Sequence, residues 1–130
     1  MENLVPDGWF VGLQEPLTTQ NSEPEPDLFI VRGTSRDYAN RHPEPEDVAL
    51  VVEVSDATLE RDRKSKKRIY AAAGIPVYWV VNLREKCIEV YTSPSGSDYE
   101  NIKRIDRKAT AIVFIDNDEV GQVAVSDVLP

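Results

Sequence analysis

Cysteine, histidine and long apolar runs are what this chain has least of. One cysteine and one histidine occur in its 130 residues. The lone Cys87 can close no internal disulfide, and with His42 far from it in sequence a zinc site has no ligand set. Cys87 lies in an apolar-alternating segment, so a buried thiol is expected, and with it a reducing compartment, the cytoplasm. No apolar stretch approaches the roughly 18 residues that cross a bilayer. Met1-Glu-Asn-Leu-Val-Pro is no signal peptide, and no membrane partner is expected. Positive charge is scarce too. Lys and Arg number 15 against 23 Asp and Glu, for a net charge of −8, which argues against a protein that coats nucleic acid.

The length suits one domain, residues 1–130, with a real core but no room for two. Charge is unevenly spread along it. Between Ala57 and Tyr70 stand six cations and two anions, while the rest of the chain is strongly acidic. Such a helix offers a confined phosphate-binding edge, or simply a solvated face.

Hydrophobic patterning predicts a strand over Trp9–Gln14 and a polar, proline-rich loop over Thr18–Pro26. A strand over Leu28–Val31 is entered directly from Asp27. Gly33–Asp47 reads as a surface connection with a helical turn. Val48–Ser55 is the clearest strand, with Val48, Leu50, Val52 and Val54 on one face and Ala49, Val51, Glu53 and Ser55 on the other. Both faces are largely apolar, as for a central strand covered on both sides. A helix follows over Ala57–Ala73, capped by Ser55, Asp56 or Thr58 and stopped by Gly74. Strands over Val77–Val81 and Cys87–Tyr91 make a hairpin, Ser93–Ser97 a turn, and Tyr99–Ile105, Ala109–Ile115 and Val120–Val125 a β-rich tail. The class is mixed α/β (α+β), strand-dominated, with one main helix packed on a mixed sheet.

Glu53 breaks the rule of its strand. An unpaired carboxylate buried among valines costs several kcal/mol, so it needs a partner or a reaction. At about 100° per residue, Leu59, Asp62, Arg63, Lys66, Ile69, Tyr70 and Ala73 share one helix face, whereas Arg61, Lys64, Lys67 and Arg68 fall outside it. Lys66 thus points toward the sheet, while Lys67 is free to meet phosphate. An Asp62–Lys66 ion pair at i,i+4 is the structural alternative. Tyr70, Tyr78 and Trp79 are expected in the core. Two carboxylates with a lysine suit phosphodiester hydrolysis. Asp27 and Glu53 are hard oxygen ligands for Mg²⁺ or Mn²⁺, and an ammonium beside them can orient water or stabilise the phosphorane.

Four ordered motifs carry a resemblance: Ser22-Glu-Pro-Glu-Pro-Asp-Leu, Val51-Val-Glu-Val-Ser, Asp62-x-x-x-Lys66-x-x-x-Tyr70 and Ala73-Gly-Ile-Pro-x-Tyr-Trp. Together they resemble the Uma-type restriction endonuclease family of the PD-(D/E)XK nuclease superfamily, from about Trp9 to Pro130. The resemblance implies a restriction-endonuclease-like fold and a metal-dependent endonuclease acting on DNA. It implies Asp27 and Glu53 as metal ligands and Lys66 as the catalytic lysine. Ser55 stands where the superfamily lysine is expected, which matches its migration onto the helix as Lys66. Gln14 corresponds to a glutamine of the family's preceding strand and would border the site with Ser55, Asp62 and Tyr70. The family is usually longer at the N-terminus, and has Glu where Val77 stands and often Asp where Asn82 stands. The expectation is therefore a shortened domain: a truncated copy, a fragment, or one that completes itself as a homodimer. A catalytically inactive relative kept as a nucleic-acid-binding or protein-interaction module is the competing reading.

Overall fold

The computed structural model describes residues 5–19, 22–56 and 60–129, with helix side chains from Lys64 onward. Strands β1 (Trp9–Leu13), β2 (Leu28–Arg32) and β3 (Val48–Ser55) precede helix α1 (Glu60–Ala72). Strands β4 (Val77–Asn82), β5 (Cys87–Ser95) and β6 (Asp98–Asp106) follow, then β7 (Thr110–Ile115), β8 (Asp118–Ala124) and a closing turn, α2 (Val125–Val128). Two short 3-10 turns, Ser35–Tyr38 and Pro45–Asp47, occupy the expected surface connection.

The first six strands form one sheet in sequential order, and β7–β8 form a separate hairpin. Only β3 and β4 run parallel; the other pairs are antiparallel. A parallel pair needs a crossover, and α1 supplies it. It packs Tyr70, with Ala71 and the following Ile75, against Phe29, Val51, Tyr78, Val80, Tyr91 and Tyr99. The opposite face carries Ile30, Leu50, Val52, Trp79 and Ile88, covered by Ala111, Val113 and Ile115 of β7 and by Val125 of α2. Both faces of β3 are thus buried, as its apolar pattern required.

Local details depart from the periodic reading. The β2–β3 register shifts so that Ile30 faces Leu50 but Val31 faces Val48, and Ala49 bulges between them. Val48 therefore packs on the α1 side and Ala49 on the other, the reverse of strict alternation. Val54 emerges to 49% exposure at the strand end, so the two-sided cover stops at the row of Glu53. The β5–β6 ladder runs on to Ser95 and Asp98, leaving only Gly96–Ser97 as the turn. Val125 leaves β8 for a helical turn instead of ending a strand. Gly74 takes φ +78 after α1, where its N–H reaches the Ala71 carbonyl and that of Ile75 reaches Tyr70. Of the expected caps, Ser55 belongs to β3 and Thr58 lies outside the described residues. Among the described residues no helix is long and apolar enough to cross a membrane.

Gly12 sits opposite Phe29 in the β1–β2 ladder, and an added Cβ would fall on the Phe29 ring. Gly12→Ala is expected to cost about 1–3 kcal/mol by overpacking. Adding Phe29→Leu should give a double variant less destabilised than the sum of the two single changes. Urea denaturation of the four proteins checks this; strict additivity would place the strain elsewhere.

Candidate active site

The antiparallel register that pairs Leu28 with Val52 sets Asp27 opposite Glu53, just before β2 begins. Alternation then puts both acids on the α1 face, in line with Phe29 and Val51. The Asp27 backbone N–H donates to Glu53 Oε1 at 3.1 Å, and the Val54 N–H donates to Asp27 Oδ2 at 2.7 Å. Each acid is therefore pinned by the other's strand.

From above, α1 lowers two groups onto Glu53. The Lys66 ammonium lies 3.1 Å from Oε2, and the Tyr70 hydroxyl donates to the same oxygen at 3.1 Å. The two are one helical turn apart, which is why both reach one carboxylate. Glu53 is only 3% exposed and Tyr70 is fully buried, whereas the Lys66 side chain keeps 48% of its surface. The site is thus a buried carboxylate with a half-open ammonium at its mouth. Burial pushes the Glu53 carboxyl above the ordinary glutamate value, and Lys66 and the Asp27 N–H offset this only in part. The Tyr70 hydroxyl is likewise pushed up by burial and then by the Glu53 charge, so it stays a donor.

Asp27, Glu53, Lys66 and Tyr70 come together as the sequence suggested. Gln14 follows β1 in the left-handed region, φ 51, and its backbone N–H donates to the Asp27 carbonyl at 3.1 Å. It borders the site through its backbone. Ser55 is half-buried, faces Asn82 in the ladder, and accepts the Leu83 N–H on its carbonyl at 2.9 Å. The Asp62 side chain lies outside the described residues. Lys67 lies outside the Lys66 face, as expected, and turns to the far flank of α1, 3.2 Å from Asp98 Oδ1 and over the Tyr91 ring. Tyr78 and Trp79 are core residues, 1% exposed.

One polar group escaped the sequence reading. Glu89 pairs with Val80, which pairs with Glu53, so both acids share a row on the α1 face. Tyr91 donates to Glu89 Oε1 at 2.7 Å and the Asn82 amide to Oε2 at 3.0 Å, and Glu89 is 7% exposed. The alternation Cys87-Ile-Glu-Val-Tyr carried the signal, an acid on the same strand face as a tyrosine. Glu85, Cys87 and Glu89 also place potential ligand atoms within 4.8 Å of one another. Arg104 already neutralises Glu85 there, and a thiol suits softer metals than Mg²⁺.

The pH dependence of stability follows from the raised Glu53 pKa. A carboxyl whose folded pKa lies above its unfolded value loses stability as pH rises through the folded value. Glu53→Gln should therefore match the wild type most closely below pH 4.5, the ordinary glutamate value, and become the more stable of the two as pH rises past it. Chemical denaturation across that range reads the difference; a constant gap would mean that burial does not govern this carboxyl.

Comparison with known proteins bears on this arrangement. No curated protein matches the chain. The crystal structure of a putative nuclease belonging to DUF820 from Anabaena variabilis ATCC 29413 is similar, with a TM-score of 0.64 and 16% identity over 92% of this chain and 67% of that one. The mixed sheet with its crossover helix is therefore a nuclease-like fold. The model of the Uma2 family, described as "Putative restriction endonuclease", matches residues 2–114. With most of its length inside that match, this chain belongs to the Uma2 family.

Proposed function

We propose that the chain is a divalent-metal-dependent endonuclease hydrolysing phosphodiester bonds in DNA. Asp27 and Glu53 are the metal ligands and Lys66 is the catalytic lysine. The observation that carries this reading is the meeting of a buried Glu53 with the Asp27 strand position and the half-exposed Lys66 ammonium, 3.1 Å from Oε2.

The donor set fits Mg²⁺ or Mn²⁺. Both acids offer hard oxygens on one sheet face, and among the described residues Asp27 Oδ1 has no hydrogen-bond partner. A bound ion would supply a water of lowered pKa and offset the charge that grows on the phosphate. The remaining work belongs to the chain. Tyr70 and the Asp27 N–H hold the Glu53 carboxylate in one orientation, so no rearrangement is needed during reaction. Lys66 keeps half its surface open and can follow a phosphate oxygen as its charge develops, stabilising the transition state more than the ground state.

A second reading has its own support. Three protein donors already satisfy Glu53, which suits a nuclease-like module that binds without cutting. Calorimetric titration with Mn²⁺ separates the two. The nuclease reading expects binding in the micromolar-to-millimolar range, lost in Glu53→Gln and Asp27→Asn, and tightening as pH rises and Glu53 gives up its proton. Absent binding, or binding indifferent to both substitutions, favours the module.

Lys66→Ala should lower Mg²⁺-dependent plasmid cleavage by about a hundredfold or more, the scale of losing one transition-state donor. DNA affinity should stay within about twofold, because the Lys66 ammonium is paired with Glu53 before reaction and acts on charge that develops in the transition state. Equal losses in cleavage and affinity would make Lys66 a binding residue only.

A further inference from the structure

A groove of about 340 Å³ runs along the flank of α1, lined by Thr19, Ser22, Ser65, Arg68, Ile69 and Ala72–Ala73. Ser65, Arg68, Ile69 and Ala72 follow the i, i+3, i+4, i+7 spacing of one helix ridge, turned about 100° from Lys66. The opposite flank is the one whose Lys67 is tied to β5 and β6, so the groove lies on the side of the loop that leads into Asp27. Only Glu-Pro-Glu-Pro separates Ser22 from that acid, with Pro26 buried against the body.

The lining has a definite chemistry. Arg68 is exposed and makes no hydrogen bond or ion pair among the described residues, and the one carboxylate its charge measurably favours is Asp98. Ser65 adds a hydroxyl beside it. Across the groove, the Thr19 hydroxyl donates to the Ser22 carbonyl at 2.9 Å and accepts from the Ser22 hydroxyl at 2.9 Å. Ile69, Ala72 and Ala73 form an apolar floor. One guanidinium and the Ser65 hydroxyl over an apolar floor match a phosphate joined to a sugar. Among the described lining residues none is a carboxylate or an amide.

We propose that this groove is a nucleic-acid backbone subsite, in which Arg68 pairs with a phosphate flanking the one that is cut. It rests on the nuclease reading of Asp27, Glu53 and Lys66, and supplies that site with register on the strand. The Lys66 and Arg68 sides of α1 lie about one helix diameter apart, on the order of 10 Å, or roughly three nucleotide rises. The contacted phosphate is therefore two or three steps from the scissile one. A chain with net charge −8 needs such a local anchor, since its overall field repels DNA.

The test is fluorescence anisotropy with a short labelled DNA duplex and the full chain, in Ca²⁺, across a salt series. Arg68→Gln should weaken binding about tenfold and flatten the log–log salt slope by about 1, while Arg68→Lys keeps the slope. Arg107→Gln, in the exposed turn between β6 and β7, should change neither. Wild-type affinity and slope in Arg68→Gln overturn the subsite, as does failure of the wild type to bind the duplex. Inorganic phosphate is the second arm. If it raises the melting temperature of the wild type but not of Arg68→Gln, while duplex binding is alike in both, the groove is a small-anion site and the proposal falls. Cleavage by Glu53→Gln separates the two layers. Retained cleavage overturns the reading of the active site, whereas the Arg68 effect on binding decides the subsite alone.

Discussion

Glu53 is the constraint around which the α1 face of the sheet is organised. A carboxylate almost fully removed from water must be met by donors or protonated, and here three donors meet it from two directions. The Asp27 N–H comes from the neighbouring strand, while Lys66 and Tyr70 come down from α1. These contacts fix the β2–β3 register at its site end and the rotation of α1 over the sheet. They also place Asp27 beside Glu53. The interaction that makes burial tolerable is thus the one that assembles the site.

The arrangement sits where the fold can supply both burial and access. β3 has a partner strand on each side and a packed layer on each face, so its middle is dry. One residue beyond Glu53 the cover ends and Val54 is half in solvent. The carboxylate lies at that boundary, with the ammonium of Lys66 on the wet side. Low local dielectric strengthens the charges there. Behind it, stacked Tyr78 and Tyr91 carry the packing on to β5, where Glu89 repeats the theme of a buried acid held by a tyrosine and an amide.

Much of this was legible because it depends on period and polarity. The eight residues of β3 stand out by composition, and an acid inside them is expensive wherever the strand lies. The inward face of α1 follows from 100° per residue, so Lys66 could be separated from Lys64 and Arg68 before any coordinates. Other features depend on register or on distant partners. The bulge at Ala49 exchanges two faces through a shift in pairing with β2, which no pattern within β3 reveals. The contacts of Lys67 with Asp98 and Tyr91 join residues far apart along the chain and were not legible from the helix alone. Glu89 was overlooked because its row beside Glu53 appears only once β4 and β5 are laid in order.

The central claim is that Asp27 and Glu53 hold a hard divalent ion within reach of Lys66. A crystal of the full chain soaked in Mn²⁺ tests it through anomalous scattering. The account predicts a peak bound by carboxylate oxygens of both acids, with the Lys66 ammonium at the mouth of the same site. A peak at Glu85, Cys87 and Glu89 instead, or none beside Glu53, would contradict it.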